Sequence, residues 1–120
     1  MEQQYAEYAW EQAAALLAID SPTGYTEQAA EWVRAAFDAL GFAAHRTVKG
    51  GVLVDLGGRD TQNALLLEAH TDTLGAMVAE VKSSGRLRLA PLGGVALQSV
   101  ESENVRIHTR SGGIVEGTLQ

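Results

Sequence analysis

The chain contains no cysteine. It therefore has no disulfide framework, and no thiolate is available to hold a metal ion. Basic residues are few: nine Lys and Arg stand against fifteen Asp and Glu, for a net charge of −6, and the nine are scattered. A protein that tracks a phosphate backbone needs a basic face, so nucleic acid is excluded as an expected partner. Long apolar runs are missing too. The longest near the start, Ala13–Ile19, is too short to span a bilayer. Glu2, Glu7 and Glu11 give the N-terminus an acidic character, the opposite of a signal peptide. The chain is accordingly expected in the cytoplasm, away from membranes. Neither a solenoid repeat nor a low-complexity stretch is present.

What remains is ordinary for a soluble globular domain. One hundred and twenty residues with 46% apolar and 20% charged content suffice to bury most of a compact core. From about Gln4 to Ile19, Tyr5, Ala9, Ala13, Leu16 and Leu17 recur at helical spacing. Asp20-Ser21-Pro22-Thr23-Gly24 ends that helix, since proline cannot continue the ladder and small polar residues favour a turn. A second helix is predicted over Glu27–Leu40, with Ala30, Val33, Phe37 and Leu40 as its apolar stripe and Gly41 as its left-handed stop. Trp32 and the aromatics of the first helix are read as packing residues. Phe42–Val48 alternates as a half-exposed strand, with His45 facing solvent, and Val52–Leu56 follows Gly50-Gly51 as another.

The polar turn Gly57–Asn63 leads into Leu65–Gly75, LLLEAHTDTLG, which organises the chain. Consecutive apolar residues bounded by polar ones fit a strand buried on both faces, so Leu65–Ala69 is expected to be a central strand. Its side chains alternate, which puts His70 and Asp72 on one side with Cα atoms roughly 6.5 Å apart. A carboxylate at that distance can hold one imidazole nitrogen while the other faces a cleft, as a metal-ligating histidine requires. The C-terminal end of a buried strand is also where open α/β sheets place ligands. Two readings are open at this point: a metal-ligating histidine with its orienting carboxylate, or a strand-end histidine bonded to a turn aspartate.

After Gly75 the character changes. Ala76–Lys82 and Arg86–Ala90 flank Ser83-Ser84-Gly85, and Asn104–Thr109 and Ile114–Leu119 flank Arg110-Ser111-Gly112-Gly113. Such short strands around glycine turns, without a helix, suggest a small all-β unit.

The stretch AHTDTLGAMVAEVKSSGRLRLAPLGG resembles the glutamyl/tetrahedral aminopeptidase family of co-catalytic metallopeptidases. In that family a strand ends in Ala-His-x-Asp-x-x-Gly and is followed by a strand, a glycine turn, a second strand and Pro-x-Gly-Gly. Ala69, His70, Asp72 and Gly75, then Met77–Val81, Gly85, Leu87–Leu89 and Pro91-Leu92-Gly93-Gly94, supply that pattern. Gly24-Tyr25-Thr26-Glu27 matches a turn after the first helix of these peptidases. A related group of zinc carboxypeptidases and deacylases also carries His-Thr-Asp-Thr but continues with a proline-containing loop. Leu74-Gly75-Ala76-Met77-Val78 continues as a strand, which favours the aminopeptidases.

The resemblance implies an α/β fold. Residues 1–75 would open an α/β sandwich catalytic domain, and residues 76–120 would begin an inserted β domain that serves oligomer assembly. It further implies a peptide substrate, a homo-oligomer, and two divalent metal ions, zinc or cobalt, about 3.5 Å apart. His70 would be a metal ligand and Asp72 the carboxylate that orients it. The family's remaining ligands and its glutamate base come from sequence after the inserted domain, so the chain alone is expected to be inactive. His108 is read as an exposed strand residue alternating with Val105 and Ile107, and Glu101 and Glu103 as solvated loop charges. Asp55 and Glu68 have no nameable partner. Two alternatives stand beside the aminopeptidase: a noncatalytic, self-associating fragment, and the carboxypeptidase/deacylase branch.

Overall fold

The computed structural model describes residues 2–60 and 62–120. Helix α1 (Glu2–Leu17) and helix α2 (Glu27–Ala39) come first, followed by three antiparallel hairpins. The hairpins pair β1 (Ala44–Arg46) with β2 (Val52–Val54), β3 (Gly75–Val81) with β4 (Leu87–Leu92), and β5 (Asn104–His108) with β6 (Ile114–Thr118). A short helix, α3 (Leu97–Val100), lies between β4 and β5. The second half is therefore not purely β, as its glycine turns had suggested. Among the described residues no helix is long and apolar enough to cross a membrane.

Local chemistry explains most boundaries. At the end of α2, Gly41 adopts φ 88°, its N–H donates to the Asp38 carbonyl at 2.9 Å, and the Phe42 N–H donates to the Phe37 carbonyl at 3.1 Å. This pair of bonds is a Schellman motif, which needs a residue at positive φ and so favours glycine. The next strand is tied back to the same helix. The Ala44 N–H donates to Asp38 Oδ1 at 3.1 Å, and the Arg46 guanidinium grips both oxygens of Glu27 at 3.0 and 2.9 Å. The β3–β4 register pairs Gly75 with Leu92 and Val81 with Leu87, with an irregularity between Val78 and Glu80. In β5–β6, Asn104 faces Thr118 and His108 faces Ile114.

The mixture of helices and antiparallel strands agrees with an α/β class. The central strand does not form. Leu65–Ala69 lies in neither helix nor strand, and Leu65, Leu66 and Leu67 are 84%, 71% and 77% exposed. A buried strand needs a ladder on each side, and among the described residues no strand lies beside this run. The compact core expected from composition is also small: among the described residues it comprises Ala29 and Ala30 on α2 together with the polar Ser21. Helix α1 touches α2 but buries no residue, so Tyr5 and Trp10 are exposed where packing was expected. The radius of gyration, 18.3 Å, exceeds the ~14 Å of a compact domain of this length.

Candidate metal centre

The segment Thr71–Thr73 is clamped by the loop that follows α1. Ser21 is 2% exposed, and its hydroxyl donates to the Thr71 carbonyl at 2.8 Å. The Ser21 carbonyl accepts the Thr73 N–H at 2.8 Å, and Pro22 forms a parallel bridge with Thr73. Gly75 makes the close approach possible, because a Cβ there would stand 2.6 Å from the Pro22 Cβ. The loop then turns sharply. The Tyr25 N–H donates to the Pro22 carbonyl at 2.7 Å, with Gly24 at φ 90° in the third position of the turn.

This clamp brings His70 and Asp72 together. His70 Nδ1 lies 3.1 Å from Asp72 Oδ1 and 3.0 Å from the Asp72 main-chain oxygen. Both neighbours are acceptors, so Nδ1 carries the proton and Nε2 is left with its lone pair. Asp72 Oδ2 accepts the Thr23 hydroxyl at 2.7 Å. That bond, ahead of the His70 ring, holds the Asp72 carboxyl below its ordinary range, so Asp72 is an anion near neutral pH. The His70 ring is 85% exposed and borders an open cleft of about 470 Å³, which Leu16, Leu17 and Leu74 make largely apolar.

An imidazole with one nitrogen committed to a carboxylate and the other free has the chemistry of a metal ligand. The donor set stops there. Among the described residues no three His, Asp or Glu side chains converge as a metal-holding group. His45, Asp55, Glu68, Glu101 and Glu103 are exposed, and Asp55 and Glu68 lie outside any strand, although strands were expected over Val52–Leu56 and Leu65–Ala69.

His108 is not the exposed strand residue that its alternation with Val105 and Ile107 suggested. Its Nε2 lies 2.8 Å from Asp20 Oδ2, its Nδ1 lies 3.3 Å from the Tyr25 hydroxyl, and its ring packs on Tyr25 with centroids 4.7 Å apart. Arg106 also reaches Asp20, through Nε at 2.8 Å and through a second guanidinium nitrogen. These contacts hold the Asp20 carboxyl at about 2, the Arg106 hydrogen bond being the largest cause. One signal was available, since Arg106 and His108 are two apart on a strand and face the same side. Nothing in the sequence named Asp20 as their partner. Ser21 and Thr23, small polar residues beside a proline, carry no signal in the sequence beyond that of a turn.

Comparison with known proteins agrees with the motif. The model of the M42 glutamyl aminopeptidases matches residues 50–120, a span that includes both His70 and Asp72. The YhfE protein of Bacillus subtilis (strain 168), which carries an aminopeptidase name, is 40% identical over 104 residues. That alignment covers 87% of this chain and 30% of the relative. The glutamyl aminopeptidase of Lactococcus lactis subsp. cremoris (strain MG1363) is 29% identical over 100 residues, covering 82% of this chain and 28% of the relative. The chain thus spans about three tenths of the length of these curated relatives. With more than half of its residues matched by the family's model, the chain belongs to the M42 glutamyl aminopeptidase family.

Proposed function

We propose that these residues form the N-terminal part of a metal-dependent aminopeptidase that removes N-terminal residues from peptides. The single observation carrying this reading is the His70–Asp72 pair, which leaves Nε2 of an exposed imidazole open beside a cleft. His70 would hold one of two divalent ions, zinc or cobalt, and Asp72 would keep its ring in the ligating tautomer. When bound, the ions supply Lewis acidity at the scissile carbonyl and lower the pKa of the attacking water. The chain's own contribution is to bind and orient. Asp72 keeps the proton on His70 Nδ1, and Leu16, Leu17 and Leu74 give the open cleft an apolar wall against which a substrate side chain could rest. In this reading residues 1–75 belong to the catalytic α/β domain and residues 76–120 begin an inserted β unit.

One imidazole falls short of the three protein ligands that a catalytic zinc ion usually has. The 120 residues alone are therefore expected not to release nitroaniline from leucine or glutamate p-nitroanilide, even with added zinc or cobalt. A polypeptide that also carries the rest of the relatives' length should do so, and its His70→Ala variant should lose nearly all turnover. Chelator-sensitive hydrolysis by the 120 residues alone, abolished in His70→Ala, would overturn the division of labour proposed here.

A second reading, a noncatalytic self-associating unit, draws on the exposed run Leu65-Leu66-Leu67 and on Met77 and Val81 of β3. Exposed apolar surface of this kind marks sites of protein association. The two readings are compatible, because a homo-oligomer would cover such surface in a working peptidase.

A further inference from the structure

We propose that Thr23 is a positioning residue for His70, acting through Asp72. The inference rests on the preceding reading for its functional value, and on the chain's own geometry for everything else. Each oxygen of the Asp72 carboxylate has one side-chain partner: Oδ1 meets His70 Nδ1 at 3.1 Å, and Oδ2 accepts the Thr23 hydroxyl at 2.7 Å. The terminal torsion of an aspartate is broad and roughly two-fold, so the carboxylate plane is not fixed by its own covalent geometry. The Asp72 side chain is partly exposed, and water competes for both oxygens. A hydroxyl donating to a carboxylate makes a short, charge-assisted bond, strong enough to hold one orientation against that competition. Thr23 thus presents Oδ1 to the imidazole, where it joins the Asp72 main-chain oxygen, 3.0 Å from Nδ1, in keeping the proton on Nδ1 and the lone pair on Nε2.

The loop itself does not depend on the Thr23 hydroxyl. Its position is set by Ser21, through the bonds to Thr71 and Thr73, and by the Pro22–Tyr25 turn. Thr23 is exposed and makes no other side-chain hydrogen bond among the described residues. Thr23→Val keeps the β-branched shape and deletes the hydroxyl alone. Ser21→Ala should instead weaken the whole clamp, which makes it the structural control.

The test is long-range proton–nitrogen correlation NMR on the His70 ring in the intact 120-residue chain without metal. Wild type should show the Nδ1–H tautomer. In Thr23→Val the Nε2–H form, which a solvated histidine favours, should rise several-fold, and Thr23→Ser should restore the wild-type spectrum. If Thr23→Val disturbs amides outside the loop, Thr23→Ala supplies the same readout. An unchanged tautomer in folded Thr23→Val or Thr23→Ala would overturn the proposal. Titration with zinc alone separates this from the metal reading. A tautomer shift with no zinc response at Nε2, even at zinc concentrations high enough for a lone imidazole to bind, supports the positioning role while removing the ligand role. An unchanged tautomer with a zinc response does the reverse.

Discussion

His108 Nε2 and Asp20 Oδ2 lie 2.8 Å apart although their positions in the chain differ by eighty-eight. The contact fastens the β5–β6 hairpin to the loop after α1, whose next residues clamp the His70 segment. Asp20 is therefore the point at which the last hairpin meets the candidate metal centre.

The first prediction follows from its charge. Arg106 chiefly, with His108, holds the Asp20 carboxyl at about 2 against an ordinary 3.8, while partial burial works the other way. The folded chain thus binds this proton less readily than the unfolded chain. The stabilisation is complete above pH 3.8 and disappears as pH falls through about 2. Near neutral pH, Asp20→Asn should be about 1 kcal/mol less stable once solvent screening is allowed for. Denaturant unfolding of both chains against pH checks this, and the two curves should converge in acid. A constant difference at every pH would rule the linkage out.

Gly75→Ala should loosen the site. The added Cβ meets the Pro22 Cβ at 2.6 Å, and a proline ring cannot swing aside as a flexible chain end could. The expected cost is about 1–3 kcal/mol. Hydrogen exchange at the Thr73 amide, which donates to the Ser21 carbonyl, should speed up more than exchange in β5–β6.

Gly41→Ala is the remote counterpart. Among the described residues no atom beyond its chain neighbours lies within 4 Å of the added Cβ, so the cost comes from holding alanine at φ 88°. That is about 1 kcal/mol. A lowered denaturant midpoint with an unchanged His70 ring spectrum is the expected result.

Self-association should depend on the exposed leucines. Sedimentation velocity at high micromolar concentration is expected to show oligomers, and Leu66→Glu should shift the distribution toward monomer. A clean wild-type monomer would count against the association reading.

Local chemistry was readable from residues close together in sequence. Gly41 marked the end of α2, Gly85 and Gly112 marked two hairpin turns, and the order of the surrounding strands followed. The neighbourhood of His70 and Asp72 was readable for the same reason, since only Thr71 separates them. The rest depends on partners far along the chain. Leu65–Ala69 has strand composition, but pairing is a property of two segments, and no described neighbour completes it. Asp20 and Thr23 looked like punctuation because their partners, His108 and Asp72, are eighty-eight and forty-nine residues away. Helix α3 gave no warning, being a single turn whose flanking residues supply no side-chain cap.

Among the described residues the hairpins share no ladder, and this separation governs how the chain comes apart. A lone two-stranded hairpin is at best marginally stable in water. With each pair resting on its own turn and a few tethers, opening proceeds piece by piece, with distinct free energies for each piece. Heating should give a broad calorimetric profile in place of one sharp peak. The heat-capacity step should fall well below the ~1.5 kcal/mol/K typical of a compact domain near this length, because little apolar surface is hidden to begin with.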